Sequence, residues 1–125
     1  MAEAFIVDAV RIPRGIGKKG KGALADMLPQ HLAATVLKAI KDRNDLPEDA
    51  VEDVIWGTSA QYGLQAADMG RMAALDAGLG LGTCGVTLDR FCGSSLTATN
   101  IAAATIMAGM EDLLIAGGAE MTSFT

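Results

Sequence analysis

Short β-prone apolar runs alternate with segments of helical period along the whole chain, and this alternation narrows the possible folds more than any other feature. The runs are Phe5–Val10, Val51–Trp56, Gly85–Leu88 and Leu113–Ala116. After Pro29, which suits a first helical turn, Leu32, Ala33, Val36, Leu37 and Ile40 recur at helical spacing. Basic residues Lys38, Lys41 and Arg43 gather near the end of that segment, where a helix dipole favours cations. A second helical pattern runs to Gly78, and a third follows Cys92. The reading predicts strands near residues 4–10, 52–57, 85–88 and 113–117, and helices near 29–43, 66–77 and 92–108. The βαβαβαβ order implies an α/β fold, a mainly parallel sheet with right-handed crossovers and helices on its faces. Such a sheet needs cover on both faces, and three helices are few for that, so a piece of a larger unit is expected.

Composition agrees with a packed domain. Half of the 125 residues are hydrophobic and 20% are charged, enough apolar material for one core. With 22 alanines, 15 glycines and only 4% aromatics, elements should approach one another closely. The third helical segment, Thr97–Ala108, carries no charge on any face and is expected to be the most buried element. No apolar run is long enough to span a bilayer, and Met1-Ala2-Glu3-Ala4 lacks a signal-peptide pattern, so a soluble, cytoplasmic protein without a membrane partner is expected. Net charge is −5, but residues 1–43 hold 8 bases against 4 acids and residues 44–125 hold 2 against 11. One short basic stretch in an acidic chain argues against a nucleic-acid partner. Two cysteines and one histidine in no ligand spacing imply no metal site and no structural disulfide.

Among the motifs, Gly15-x-Gly17-x-x-Gly20 matches a dinucleotide fingerprint by letter only. That chemistry needs the glycines to open a helix onto a pyrophosphate, whereas here lysines follow and the helical pattern waits until Pro29. A solvated basic loop fits better. His31 reads as a surface or half-buried helix residue, Trp56, Tyr62 and the methionines as core or subunit contacts, and Cys84 as a small buried hydrophobe. Cys92 differs, because Thr87–Leu96 passes directly from strand to helix. Backbone N–H groups and the positive dipole end at such a junction favour thiolate over thiol. Gly93, Ser94 and Ser95 leave room for an acyl group, and the Cys92 N–H could face its oxyanion. A nucleophile and a buried helix-capping cysteine both remain open on these grounds.

Several segments together resemble the N-terminal part of the thiolase family: Val7-Asp8-Ala9-Val10-Arg11 with Pro13, Trp56-Gly57, Gly70–Leu75, Arg90-Phe91-Cys92-Gly93-Ser94-Ser95-Leu96 and Ala116–Met121. The resemblance covers residues 1–125 as one N-terminal core domain and is nearer the degradative 3-ketoacyl-CoA type. It implies an acyltransferase in which Cys92 carries the acyl group as a thioester between a 3-ketoacyl-CoA and coenzyme A. Coenzyme A is then a substrate, no cofactor is implied, and the coenzyme-binding residues stay unassigned. It also implies fatty acid metabolism by β-oxidation and a homodimer or homotetramer joined through the Gly57–Gly70 segment. The family's second cysteine, its Gly-His-Pro histidine and its Asn-Glu motif have no counterpart in these residues, so the chain by itself is expected to be inactive. Ile12 and Asp89 depart from the family's threonine and asparagine; an unscreened carboxylate at 89 would raise the thiol's pKa, and pairing with Arg90 is the expected remedy. Another condensing enzyme of the superfamily, or a non-catalytic assembly or binding subunit of the same fold, are the alternatives.

Overall fold

The computed structural model describes residues 2–124. Its elements in chain order are α1 (Pro29–Arg43), β1 (Asp53–Gly57), a 3-10 turn at Gly63–Gln65, α2 (Met69–Asp76), β2 (Cys84–Leu88), α3 (Ser94–Met107) and β3 (Leu114–Gly118). The three strands form one parallel sheet in the order β2-β1-β3. Asp53 pairs with Cys84 on one side and Leu114 on the other, and Gly57 with Leu88 and Gly118. The chain leaves β1 through α2 to one neighbour, then returns through α3 to the opposite neighbour. Crossovers of one hand then place α2 and α3 on opposite faces.

The core follows that arrangement. Val54 and Trp56 on β1 pack with Ala33, Ala34 and Leu37 of α1 and with Met69, Ala73 and Ala74 of α2. Ile55 points the other way, onto Ala98 and Ala102 of α3. A central parallel strand covered on both faces thus explains why Val54-Ile55-Trp56 is an unbroken apolar run. No helix among the described residues is long and apolar enough to cross a membrane.

Three expectations need correction. Phe5–Val10 forms no strand: Phe5, Ile6 and Val7 are strongly exposed, and no described strand offers them a ladder. The segment is instead pinned by Asp8, whose carboxylate accepts from Arg43 at 2.6 Å and Asn44 at 2.8 Å at the end of α1. The sheet therefore has three strands rather than four. α3 is not the most buried element, since only Ser94, Ala98 and Ala102 are buried and Leu96 is 69% exposed. It lacks charge, but only one side is covered among the described residues; the other carries exposed Ser95, Thr99 and Asn100 beside Leu96, Ile101 and Met107. Cys84 is exposed as well, because its strand β2 lies at the edge of the sheet.

Candidate active site

A parallel sheet brings the carboxyl ends of its strands to one edge, where α/β proteins place their ligands. Here that edge gathers the loop after Gly57, the turn after Leu88 and the segment after Gly118. Thr58 ties the three together. It is 1% exposed, its N–H donates to Leu88 O at 3.1 Å, and its Oγ1 donates to Ala119 O at 2.9 Å. The Ala119 N–H donates to Gly57 O at 3.0 Å.

Cys92 lies in the turn after β2 and is exposed. It stands immediately before Gly93, the N-cap of α3, so the thiol is at the entry to the helix rather than within its first turn. Phe91 adopts a left-handed conformation with φ +47°, which is what shortens the strand-to-helix passage. Ser94 locks the turn from inside. Its buried Oγ accepts from Arg90 N–H at 2.8 Å and donates to Phe91 O at 2.7 Å. The expected role of Ser94 as mere free space for an acyl group is therefore replaced by a structural one. The N-cap Gly93 offers no side-chain cap to α3; the Ser94 N–H instead donates to Phe91 O at 3.2 Å, within the turn that carries Cys92.

Close approach of α3 to the sheet depends on two glycines. A Cβ on Gly57 would stand 2.7 Å from Ser94 C and Ser95 N, and one on Gly118 would meet Ser95 Oγ. The helix entrance, and Cys92 with it, rests on the glycine ends of β1 and β3.

The loop after β1 is held from both sides. Glu120 accepts from Ser59 N–H at 2.8 Å, from Ala60 N–H at 3.2 Å and from Gln65 Nε2 at 3.1 Å. Gln65, 1% exposed, also donates to Ala60 O and accepts from Met121 N–H at 2.7 Å. On the other side Ser59 Oγ donates to Asp89 Oδ1 at 2.6 Å, and Phe91 N–H reaches the same oxygen at 2.8 Å. These donors, Ser59 first, hold the Asp89 carboxyl below the usual carboxylate range. The expected partner Arg90 makes no ion pair with Asp89 among the described residues. No sequence pattern points to Ser59 or Gln65, and Glu120 stands in the Ala116–Met121 segment without an assigned role; the one signal is an acid two residues after the Gly-Gly exit of β3.

His31 takes no part. It lies on α1, across the sheet from α3, with Nδ1 3.6 Å from Asp76 Oδ2. The Gly15–Gly20 stretch opens no helix, and Gly17 O instead accepts from Thr122 Oγ1 at 3.0 Å. Of the Gly57–Gly70 segment, Tyr62 and Leu64 are exposed while Gln65 and Met69 are buried. Among the described residues no group of three or more His, Cys, Asp or Glu is placed to hold a metal ion.

Residues 4–125 match the family model described as thiolase, N-terminal domain. A steroid 3-ketoacyl-CoA thiolase of Mycobacterium tuberculosis is 42% identical over 98% of this chain and 30% of its own length. A 3-oxoadipyl-CoA/3-oxo-5,6-dehydrosuberyl-CoA thiolase of Escherichia coli is 45% identical over the same shares. Among solved structures, the Bacillus anthracis acetyl-CoA acetyltransferase superposes with a TM-score of 0.73 at 35% identity, over 82% of this chain and 25% of that one. The chain thus spans about 30% of the length of the curated relatives it matches.

Proposed function

The chain belongs to the thiolase family, and on that premise we propose that it supplies the nucleophile of an acyl transfer between a 3-ketoacyl-CoA and coenzyme A. The observation that carries the reading is the placement of Cys92: an exposed thiol, ahead of an uncapped helix entrance, at the carboxyl edge of a parallel sheet. The Cys92 sulfur attacks the 3-keto carbon, and the bond between C2 and C3 breaks. A proton delivered to C2 releases acetyl-CoA and leaves the acyl group on the sulfur as a thioester. The thiol of coenzyme A then attacks that thioester, takes the acyl group and restores Cys92. In reverse, the same steps condense two acyl-CoA units.

The residues around Cys92 serve positioning and charge stabilisation. The Cys92 N–H is the chain's contribution to an oxyanion site, where a preorganised donor is worth about 2.7–4 kcal/mol. A neutral thiol is a poor nucleophile, so a base must take its proton. His31 cannot do so from α1, and the base belongs to residues outside this chain. Coenzyme A enters as substrate. The β-oxidation setting, the cytoplasmic location and a homodimer or homotetramer are part of the same proposal. The exposed Tyr62, Leu64 and the Val86 edge of β2 support a subunit contact there. In the complete enzyme, Cys92→Ser is expected to abolish thiolysis of acetoacetyl-CoA while Cys84→Ser retains it within a few-fold. The reverse pattern rules the reading out.

A further inference from the structure

Phe91 precedes Cys92 in a conformation that a bulky L-residue adopts only when its surroundings over-determine it. Its ring is 80% exposed, so packing does not supply the constraint. Hydrogen bonds to its main chain do. Ser94 gives both its Oγ–H and its N–H to Phe91 O. On the amide side, Phe91 N–H reaches Asp89 Oδ1 at 2.8 Å. That oxygen is itself fixed by Ser59 Oγ at 2.6 Å, and Ser59 is anchored through its N–H to Glu120 Oε2 at 2.8 Å. One brace thus runs from the exit of β3, through the loop after β1, to the turn after β2.

We infer that Asp89 is a positioning residue for Cys92: braced by Ser59 and Glu120, its Oδ1 holds the Phe91 amide and so maintains the left-handed turn that presents the thiol. The inference deepens the acyl-carrier reading of Cys92 and rests on it. Both hydrogen bonds end on a single oxygen, so the geometry uses an acceptor and not the charge. An amide oxygen in the same place would accept both. Asp89→Asn and Asp89→Ala remove the same charge, and only the first keeps an oxygen acceptor in that place, which separates positioning from electrostatics.

The test follows iodoacetamide labelling of both cysteines by peptide mass, together with hydrogen exchange at the Phe91 amide. Cys84 begins β2 while Cys92 lies beyond its far end, so Cys84 is an internal reference for intact folding. Asp89→Asn is expected to keep the Cys92-to-Cys84 rate ratio at or above the wild-type value. Asp89→Ala is expected to lower it about five-fold or more, as the thiol leaves the helix entrance. It should also speed exchange at Phe91 about ten-fold or more, with Cys84 unchanged. Equal behaviour of the two variants in both readouts overturns the inference. If Asp89→Ala unfolds, Ser59→Ala carries the test: it removes the brace alone and must lower the ratio about two-fold, and no change overturns the inference. Wild-type protein in which Cys92 labels no faster than Cys84 contradicts the acyl-carrier reading instead, whatever the Asp89 variants do.

Discussion

Placing a methyl group on Gly57 probes the contact on which the site is built. The Cβ of an alanine at this position would lie 2.7 Å from Ser94 C and Ser95 N, both backbone atoms that no rotamer change can move. Ordinary van der Waals contact begins near 3.4 Å, so the entrance of α3 must retreat from β1 by about 0.7 Å. Overpacking of this kind costs about 1–3 kcal/mol. At a urea dependence of about 1–3 kcal/mol per molar, a 2 kcal/mol loss lowers the unfolding midpoint by about 1 M. Gly82→Ala is the matched control, because its Cβ would find only Asp49 Oδ1 at 3.7 Å. That variant is expected to be neutral or slightly stabilising through the unfolded chain. The same displacement shifts Cys92, so Gly57→Ala should also slow its labelling relative to Cys84. Urea unfolding followed by circular dichroism, with cysteine labelling on the folded protein, measures both effects. A Gly57→Ala protein with the midpoint and labelling ratio of wild type would refute the close-approach argument.

Other outcomes follow from the same structure. Burial, ahead of the nearby Asp68 charge, raises the Asp53 carboxyl above its ordinary value, and its Oδ1 is buried with no hydrogen-bond partner among the described residues. A raised carboxyl pKa favours folding fully only below the unfolded value near 3.8 and loses that advantage as pH rises through the folded one. Asp53→Asn should therefore match or exceed wild-type stability at pH 7, with the gap closing toward pH 3 in urea titrations. His31→Ala should leave Cys92 labelling unchanged within about two-fold, since its contact is the exposed one to Asp76. Arg43→Ala should change global stability by less than about 1 kcal/mol, because Arg43 is largely exposed and Asp8 keeps its bond from Asn44. It should nonetheless raise the rate of proteolytic cleavage within residues 2–12, which Asp8 tethers to α1.

Local signals in the sequence were decisive where structure is local. Pro29 and the basic run through Arg43 mark the bounds of α1, and the Val51–Trp56 run covers all of β1 but its last residue, Gly57. Ends governed by unusual backbone were missed. α2 begins at Met69 rather than 66 because Ala67 and Asp68 are left-handed and Asp68 caps Arg71 N–H. α3 begins at Ser94 rather than 92 because Phe91 is left-handed and Gly93 is the N-cap. Burial is the least legible property, since a residue's pattern does not say which face a neighbour covers, as for the open side of α3, the edge residue Cys84 and the unpaired Phe5–Val10. The placement of Cys92 between β2 and α3 is legible from its strand-to-helix setting; its role as acyl carrier is the proposal made above. The braces on its turn were not, because Ser59 meets Asp89 across 30 residues and Glu120 across 61, separations that no periodicity encodes.

The central claim is that Cys92 carries the acyl group, and an acyl-enzyme trap tests it most directly. The complete enzyme is mixed with a 3-ketoacyl-CoA in the absence of free coenzyme A, quenched in acid to preserve thioesters, digested and mapped by mass. The account predicts one acyl adduct, on the peptide containing Cys92, which disappears on adding coenzyme A and is absent in Cys92→Ser. An adduct on Cys84 or another residue, or an acyl group on Cys92 that coenzyme A does not remove, would contradict it.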